Sequence, residues 1–225
     1  VFSVDELQAG VKFSESSDLT DFTVEMWVKP NSTSSEFQPL VLNSDSGGTT
    51  GTRAFSIWIQ PDGTGSGGSG ISYEVYAAFY SSGEQVRLSS GGTRFDSDVA
   101  DEIVTGDGTT GLTANEWNHV AVSYNSTTGL YELLLDGVVV NSATVKTAYR
   151  TPTTSPSTFY IGGTETVVGA TGAFDGQIAD LRIYSAARSA ADINTAKTAV
   201  IAGDETDLVL ATRFGTNAQN QVLDL

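Results

Sequence analysis

The sequence predicts an all-β protein: a two-sheet antiparallel jelly-roll sandwich with one short helix. Three observations carry that prediction. Apolar and polar residues alternate with period two through most of the chain, Gly/Ser/Thr/Asp clusters punctuate the alternation, and a single stretch carries helix-capping chemistry. A period of two puts successive side chains on opposite faces of a strand, so each run buries one face and leaves the other for a different use.

The runs follow in order. In FTVEMWVK, Phe22, Val24, Met26 and Val28 share a face, and Thr23, Glu25, Trp27 and Lys29 share the other. AFSIWIQ gathers Phe55, Ile57 and Ile59 against Ser56 and Trp58. ISYEVYAAFY sets Tyr73, Val75, Ala77 and Phe79 against Ser72, Glu74, Tyr76 and Ala78. WNHVAVSY and LYELLL continue the pattern, and Asp136-Gly137 between LYELLL and VVV is a strong two-residue hairpin signal. Further strands are expected at Gln85–Leu88, Phe159–Ile161, Gln177–Tyr184 and Leu208–Phe214. Ser189, followed three residues later by Asp192, resembles a capping box and starts a helix over Ala190–Lys197. NSDSGGTTG and QPDGTGSGGSG read as connections within one domain, because the strands on both sides share one period.

Composition narrows the partners. The 225 residues are 39% hydrophobic, too apolar for a disordered chain and long enough to bury a core. Eleven Lys+Arg against 27 Asp+Glu leave a net charge of −16 and a pI near 4.1. Such a surface repels nucleic acid and anionic membranes, suits divalent cations or neutral ligands, and favours a monomer. With no cysteine there is neither a disulfide framework nor a thiolate metal site. No apolar run of 18 residues exists for membrane insertion, and Val1–Gly10 lacks signal-peptide features. Residues 1–225 read as one domain of a longer, multidomain protein.

Three segments carry a family resemblance: FTVEMWVKP, WNHVAVSYNSTTGLYELLLDGVVV, and YIGG followed by FDGQIADLRIYSAARSAADI. In this order they resemble the laminin G-like branch of the concanavalin A-like jelly rolls, from about Val11 to Phe214. The resemblance implies a non-catalytic module that is carbohydrate-binding, adhesive or protein-binding, in a bacterial secreted or cell-surface protein such as a large adhesin. It also implies frequent use of Ca2+. It places Trp117 in the core and gives the sole histidine, His119, a structural role with its ring hydrogen-bonded inside the sandwich.

Catalysis finds little support in the residues. Retaining glycoside hydrolysis needs two carboxylates on one strand face, and the Glu-x-Asp-x-x-Glu pattern of the related glucanases is absent. GTGSGGSG contains the letters of a nucleophile elbow, but in a polar flexible tract rather than a strand–helix turn.

Binding chemistry has three candidate sources. Asp180, in the middle of a strand, would pair with Arg182 on the same face or serve as a calcium ligand, the latter implied by the resemblance, with Asp5 or Glu6 from the chain start. FDSDVADEIVTGDG offers Asp96, Asp98 and Asp101 as rim ligands for calcium, or is simply a solvated acidic loop. For sugar contact, Trp27, Trp58, Tyr76 and Tyr80 are grouped on the face opposite the Val24 set, unless a covering loop packs over them. Asp45, Arg53, Arg94, Tyr149 and Arg150 are loop candidates. The expected function is a calcium-assisted glycan-binding module. A structural spacer or protein-interaction domain is the alternative, with a glycan-cleaving enzyme behind both.

Overall fold

A computed structural model describes residues 2–5, 21–31, 37–44, 53–61, 73–81, 84–91, 94–96, 110–144, 158–163, 173–216 and 222–224. These form fourteen strands and one helix: β1 Phe2–Asp5, β2 Phe22–Pro30, β3 Gln38–Ser44, β4 Arg53–Pro61, β5 Tyr73–Ser81, β6 Glu84–Ser89, β7 Arg94–Asp96, β8 Asn118–Asn125, β9 Leu130–Leu135, β10 Val138–Thr144, β11 Thr158–Ile161, β12 Gly176–Tyr184, α1 Ala190–Ala196, β13 Leu208–Thr216 and β14 Val222–Asp224. Two seven-stranded antiparallel sheets result, in the orders β1-β11-β3-β4-β5-β6-β7 and β10-β9-β8-β2-β12-β13-β14. This is the sandwich the alternation predicts.

The faces are those the alternation assigns. Phe22, Val24, Met26 and Val28 from one sheet meet Phe55, Ile57, Ile59, Tyr73, Val75 and Ala77 from the other in a single buried cluster. Phe22 bridges the layers through an edge-to-face contact with Phe55, ring centroids 5.2 Å apart. The β9–β10 hairpin turns through Asp136 and Gly137 with φ of 52° and 82°, the two positive values that a twist-matched two-residue turn requires.

β3 is absent from the sequence-predicted strands. Its QPLVLNS lacks clean alternation and holds Pro39, which cannot donate to a ladder, yet it lies inside the sheet between β11 and β4. A register shift between Pro39 and Val41 accommodates the proline. The short strands β1, β7 and β14 are also absent from the sequence-predicted strands, although β11, equally short, is among them.

Asp180 has a geometric explanation. Ala179 pairs with Trp27 and Arg182 with Glu25, so three steps along β12 match two along β2. The extra residue is a bulge, and Asp180 occupies it at φ 48°, a left-handed conformation that Asp tolerates better than most side chains. The bulge resets the phase of the strand. Ile178 packs on the core before it, and Leu181 and Ile183 are buried in the core after it, a spacing an unbroken strand could not produce.

α1 keeps its predicted start. Ser189 caps it by accepting from the Asp192 N–H, and the Ser189 hydroxyl donates to Asp192 Oδ2 at 2.6 Å. Seven residues are too few for a helix to stand alone. Its anchor is Ile193, buried with Ala121 and Leu134 on the outer face of the second sheet. Burying such a side chain contributes roughly 1.5–3 kcal/mol.

Candidate functional site: two outer faces with different fates

The outer face of the second sheet carries Thr23, Glu25 and Trp27 on β2, His119 and Ser123 on β8, and Arg182 and Tyr184 on β12. α1 and the segments flanking it close this face. Arg182 Nη1 donates to the Ala196 carbonyl at 2.7 Å and Nη2 to that of Ala199 at 2.9 Å, and Trp27 Nε1 donates to the Lys197 carbonyl at 2.8 Å. Together they satisfy carbonyls at the helix end, which have no intrahelical donors. At the other end of the helix, Thr23 Oγ1 donates to Ala186 O and accepts from Arg188 N, while Ser123 Oγ donates to Arg188 O.

Beneath this clasp lies a charge. Glu25 is fully buried, with Oε1 3.2 Å from Arg182 Nη1 and accepting more distantly from the Tyr184 hydroxyl. Burial pushes the Glu25 carboxyl above its ordinary range, and the Arg182 guanidinium works against that push. Its Oε2 lies 3.6 Å from His119 Nε2. Burial, followed by the charges of Arg182 and Lys197, lowers the His119 imidazole to about 3. His119 is therefore neutral, packed edge-on against Trp27 with ring centroids 5.2 Å apart. The expectation of a ring hydrogen bond is corrected: Nδ1 has no partner and Nε2 only approaches Glu25. A sealed imidazole that binds protons so weakly makes a poor general base at neutral pH.

Three further expectations change here. Asp180 does not pair with Arg182; the bulge turns Arg182 to the outer face, where Glu25 takes it. Trp27 does not belong with Trp58, Tyr76 and Tyr80, because β2 lies in one sheet and β4 and β5 in the other; its indole is fixed under the residues after α1. Trp117 is not core: it precedes β8 and is 45% exposed.

Among the described residues, no helix lies over the outer face of the first sheet. Trp58 and Tyr76, direct partners across β4 and β5, are half-buried and stacked, with ring centroids 5.5 Å apart and planes within 9°. The Arg87 guanidinium sits over the Tyr76 ring at 5.6 Å, and the Tyr76 hydroxyl donates to Glu74 Oε2 at 2.6 Å. Gln60, opposite Glu74 in the ladder, completes the group. Trp58 Nε1 is buried and has no hydrogen-bond partner among the described residues. The sequence singles out both rings but not Glu74, Arg87 or Gln60, which join them only through the cross-strand register.

Of the other candidates, Asp5, Arg53, Tyr80, Arg94 and Asp96 are placed on β1, β4, β5, β7 and β7 by their backbone alone. Glu6, Asp45, Asp98, Asp101, Tyr149 and Arg150 lie outside the described residues. Asp180 and Asp5 occupy different sheets, the latter on an edge strand. Among the described residues no three acidic or imidazole side chains converge as metal ligands, so these alone do not build the six-to-eight-oxygen shell calcium requires. No described helix is long and apolar enough to cross a membrane.

This architecture has relatives. A family model for the concanavalin A-like lectin/glucanases superfamily, of laminin G type, matches residues 5–194. The chain belongs to that superfamily. Among the solved structures that share the fold of this concanavalin A-like domain are the following two. A protein described as carbohydrate binding, from Bacteroides ovatus, aligns with a TM-score of 0.60 and 19% identity over 96% of this chain and 52% of its own, so the domain spans about half of that protein. A heptameric SAP-like pentraxin from Limulus polyphemus aligns with a TM-score of 0.56 and 12% identity over 91% of this chain and 79% of its own. Among curated protein sequences, none matches the domain.

Proposed function

We propose that this domain is a non-catalytic glycan-binding module whose ligand lies on the outer face of the first sheet, at Trp58, Tyr76, Glu74 and Arg87. One observation carries the reading: of the two outer faces, one is closed by α1 over a buried ion cluster, while the other presents two stacked aromatic rings flanked by a fixed carboxylate and a guanidinium. Aromatic rings meet the C–H surfaces of a sugar, and planar polar groups bind its hydroxyls in pairs. The Bacteroides ovatus protein of the same fold, described as carbohydrate binding, supports this reading.

Against catalysis stand the partners of two carboxylates on these faces. Glu25 is committed to Arg182 under the clasp, and Glu74 to the Tyr76 hydroxyl. Calcium assistance belongs to the proposal through Asp180, with Asp5 or Glu6, or through the acidic segment of Asp96, Asp98 and Asp101. So does residence in a secreted or cell-surface protein of adhesin type.

A broad glycan array, run once in millimolar calcium and once in EDTA, tests the reading. The wild type should give hits, and Trp58→Ala should weaken them by about tenfold or more, the loss of one aromatic platform. Hits that vanish in EDTA would assign calcium a direct part. A blank array in both buffers would overturn glycan binding and favour a protein-docking or spacer role.

A further inference from the structure

The chain contains two Asn-x-Thr triplets, Asn31-Ser32-Thr33 and Asn125-Ser126-Thr127, and the fold treats their carboxamides differently. We propose that Asn125 is an acceptor for N-linked glycosylation and that Asn31 is not. The triplet alone marks a sequence an oligosaccharyltransferase can read; the hydrogen bonds around each asparagine separate the two.

Asn31 directly follows β2, and its Nδ2, the nitrogen that would form the new bond, donates to Asp175 Oδ1 at 2.8 Å in an exposed contact. The backbone reinforces that pairing, since Asn31 N donates to Asp175 O and Asn31 O accepts from the Tyr73 hydroxyl at 2.6 Å. Attack through Nδ2 would have to break a charge-assisted hydrogen bond on a strand end tied down at three points.

Asn125 sits at the other end of the sandwich, where β8 turns into β9. Here it is Oδ1 that is engaged, accepting from Thr127 N at 3.1 Å and Thr128 N at 2.9 Å. Nδ2 donates no hydrogen bond to any described residue. Two N–H groups on the carboxamide oxygen draw electron density from the nitrogen and ease the loss of its proton. Ser126 is fixed by Asp21, whose Oδ1 accepts from both its N–H and its hydroxyl at 2.7 and 2.6 Å, and Thr127, the residue the enzyme must read, is exposed. The turn holds its shape through its own bonds and offers the one group the reaction uses.

The co-substrate is an oligosaccharide joined to a lipid through a diphosphate. Asn125 Nδ2 bonds to the anomeric carbon as the carbon–oxygen bond to phosphate breaks. The lipid diphosphate leaves with the electron pair, and one Nδ2 proton passes to base. No redox change is involved.

The test uses the folded full chain with a purified oligosaccharyltransferase that reads Asn-x-Thr and its lipid-linked oligosaccharide, followed by peptide mass mapping. Occupancy at Asn125 should exceed that at Asn31 by about threefold to fivefold, the worth of a charged hydrogen bond discounted for its exposure to solvent. Unfolding the chain in urea before dilution into the assay should bring the two sites together. Asn125→Gln and Thr127→Ala should each abolish the folded-state product, and Asp175→Ala should raise modification at Asn31. Product at Asn31 rather than Asn125 in the folded chain, or product only after unfolding, would overturn the proposal.

Discussion

Replacing His119 with Phe should flatten the acid limb of this domain's stability curve. In the fold the imidazole titrates at about 3, against an ordinary value of 6.5. The unfolded chain therefore takes up the proton first. Stability from this group is complete above about pH 6.5 and is lost as pH falls toward 3, at up to about 1.4 kcal/mol per pH unit. Between pH 6.5 and 4.5 the wild type should lose roughly 2–3 kcal/mol through His119. Glu25 acts in the opposite sense. Its folded carboxyl is raised, so its protonation favours the fold as pH falls, but both proteins carry it and the difference between their curves isolates His119. Phe keeps a flat ring against Trp27 and removes a buried nitrogen that has no partner. The assay is urea unfolding of both proteins at several pH values from 7 to 4.5. Parallel curves, agreeing within about 0.5 kcal/mol across that range, would refute the argument that burial under the clasp sets the state of His119.

Other perturbations follow from the same geometry. Arg182→Met leaves Glu25 buried without its cation and should cost about 3–5 kcal/mol in urea unfolding, whereas Glu25→Leu with Arg182→Met should recover a large part of that loss. At the bulge, Asp180→Gly should be near neutral, while Asp180→Val, a β-branched residue at positive φ, should cost about 1–3 kcal/mol; EDTA should shift the melting temperature of the wild type more than that of Asp180→Asn if Asp180 touches calcium. Gly137→Ala meets both a positive φ and Asn194 of α1, so it should destabilise by about 1–3 kcal/mol and more than Gly203→Ala, which also has positive φ but open space beside it. Trp117→Ser should change stability by no more than about 0.5 kcal/mol, since the ring is half in solvent.

What could be read from the sequence was what period and local chemistry encode. The Val24, Phe55 and Tyr73 faces, the Asp136-Gly137 turn and the Ser189 cap each depend on residues within a few positions of one another. Relations across sheets were not legible in this way. Nothing near Trp27 says that residues after position 190 will cover it, so it grouped naturally with Trp58. The Asp180 bulge did leave a trace: apolar residues at 178, 181 and 183 break the period between Ala179 and Leu181. A phase slip of that kind signals an inserted residue, and it would have turned Arg182 away from Asp180. Glu25, an unremarkable outward position in an alternating strand, gave no sign of burial, because the cation and the cover that permit it lie far along the chain.

That separation bears on how the domain assembles. Glu25 and Arg182 are 157 residues apart, and β2, between β8 and β12, has only one of its two neighbours until the chain has reached β12. Loop closure on this scale must precede the contacts that reward it, which makes for slow folding and a late commitment. Arg182 precedes α1 in the chain, so the cation for Glu25 and the helix that covers the pair come from one continuous stretch, far from β2 in sequence. The outer face of β2 is thus completed in a single event, when the stretch from β12 through α1 docks with both the partner for Glu25 and its cover.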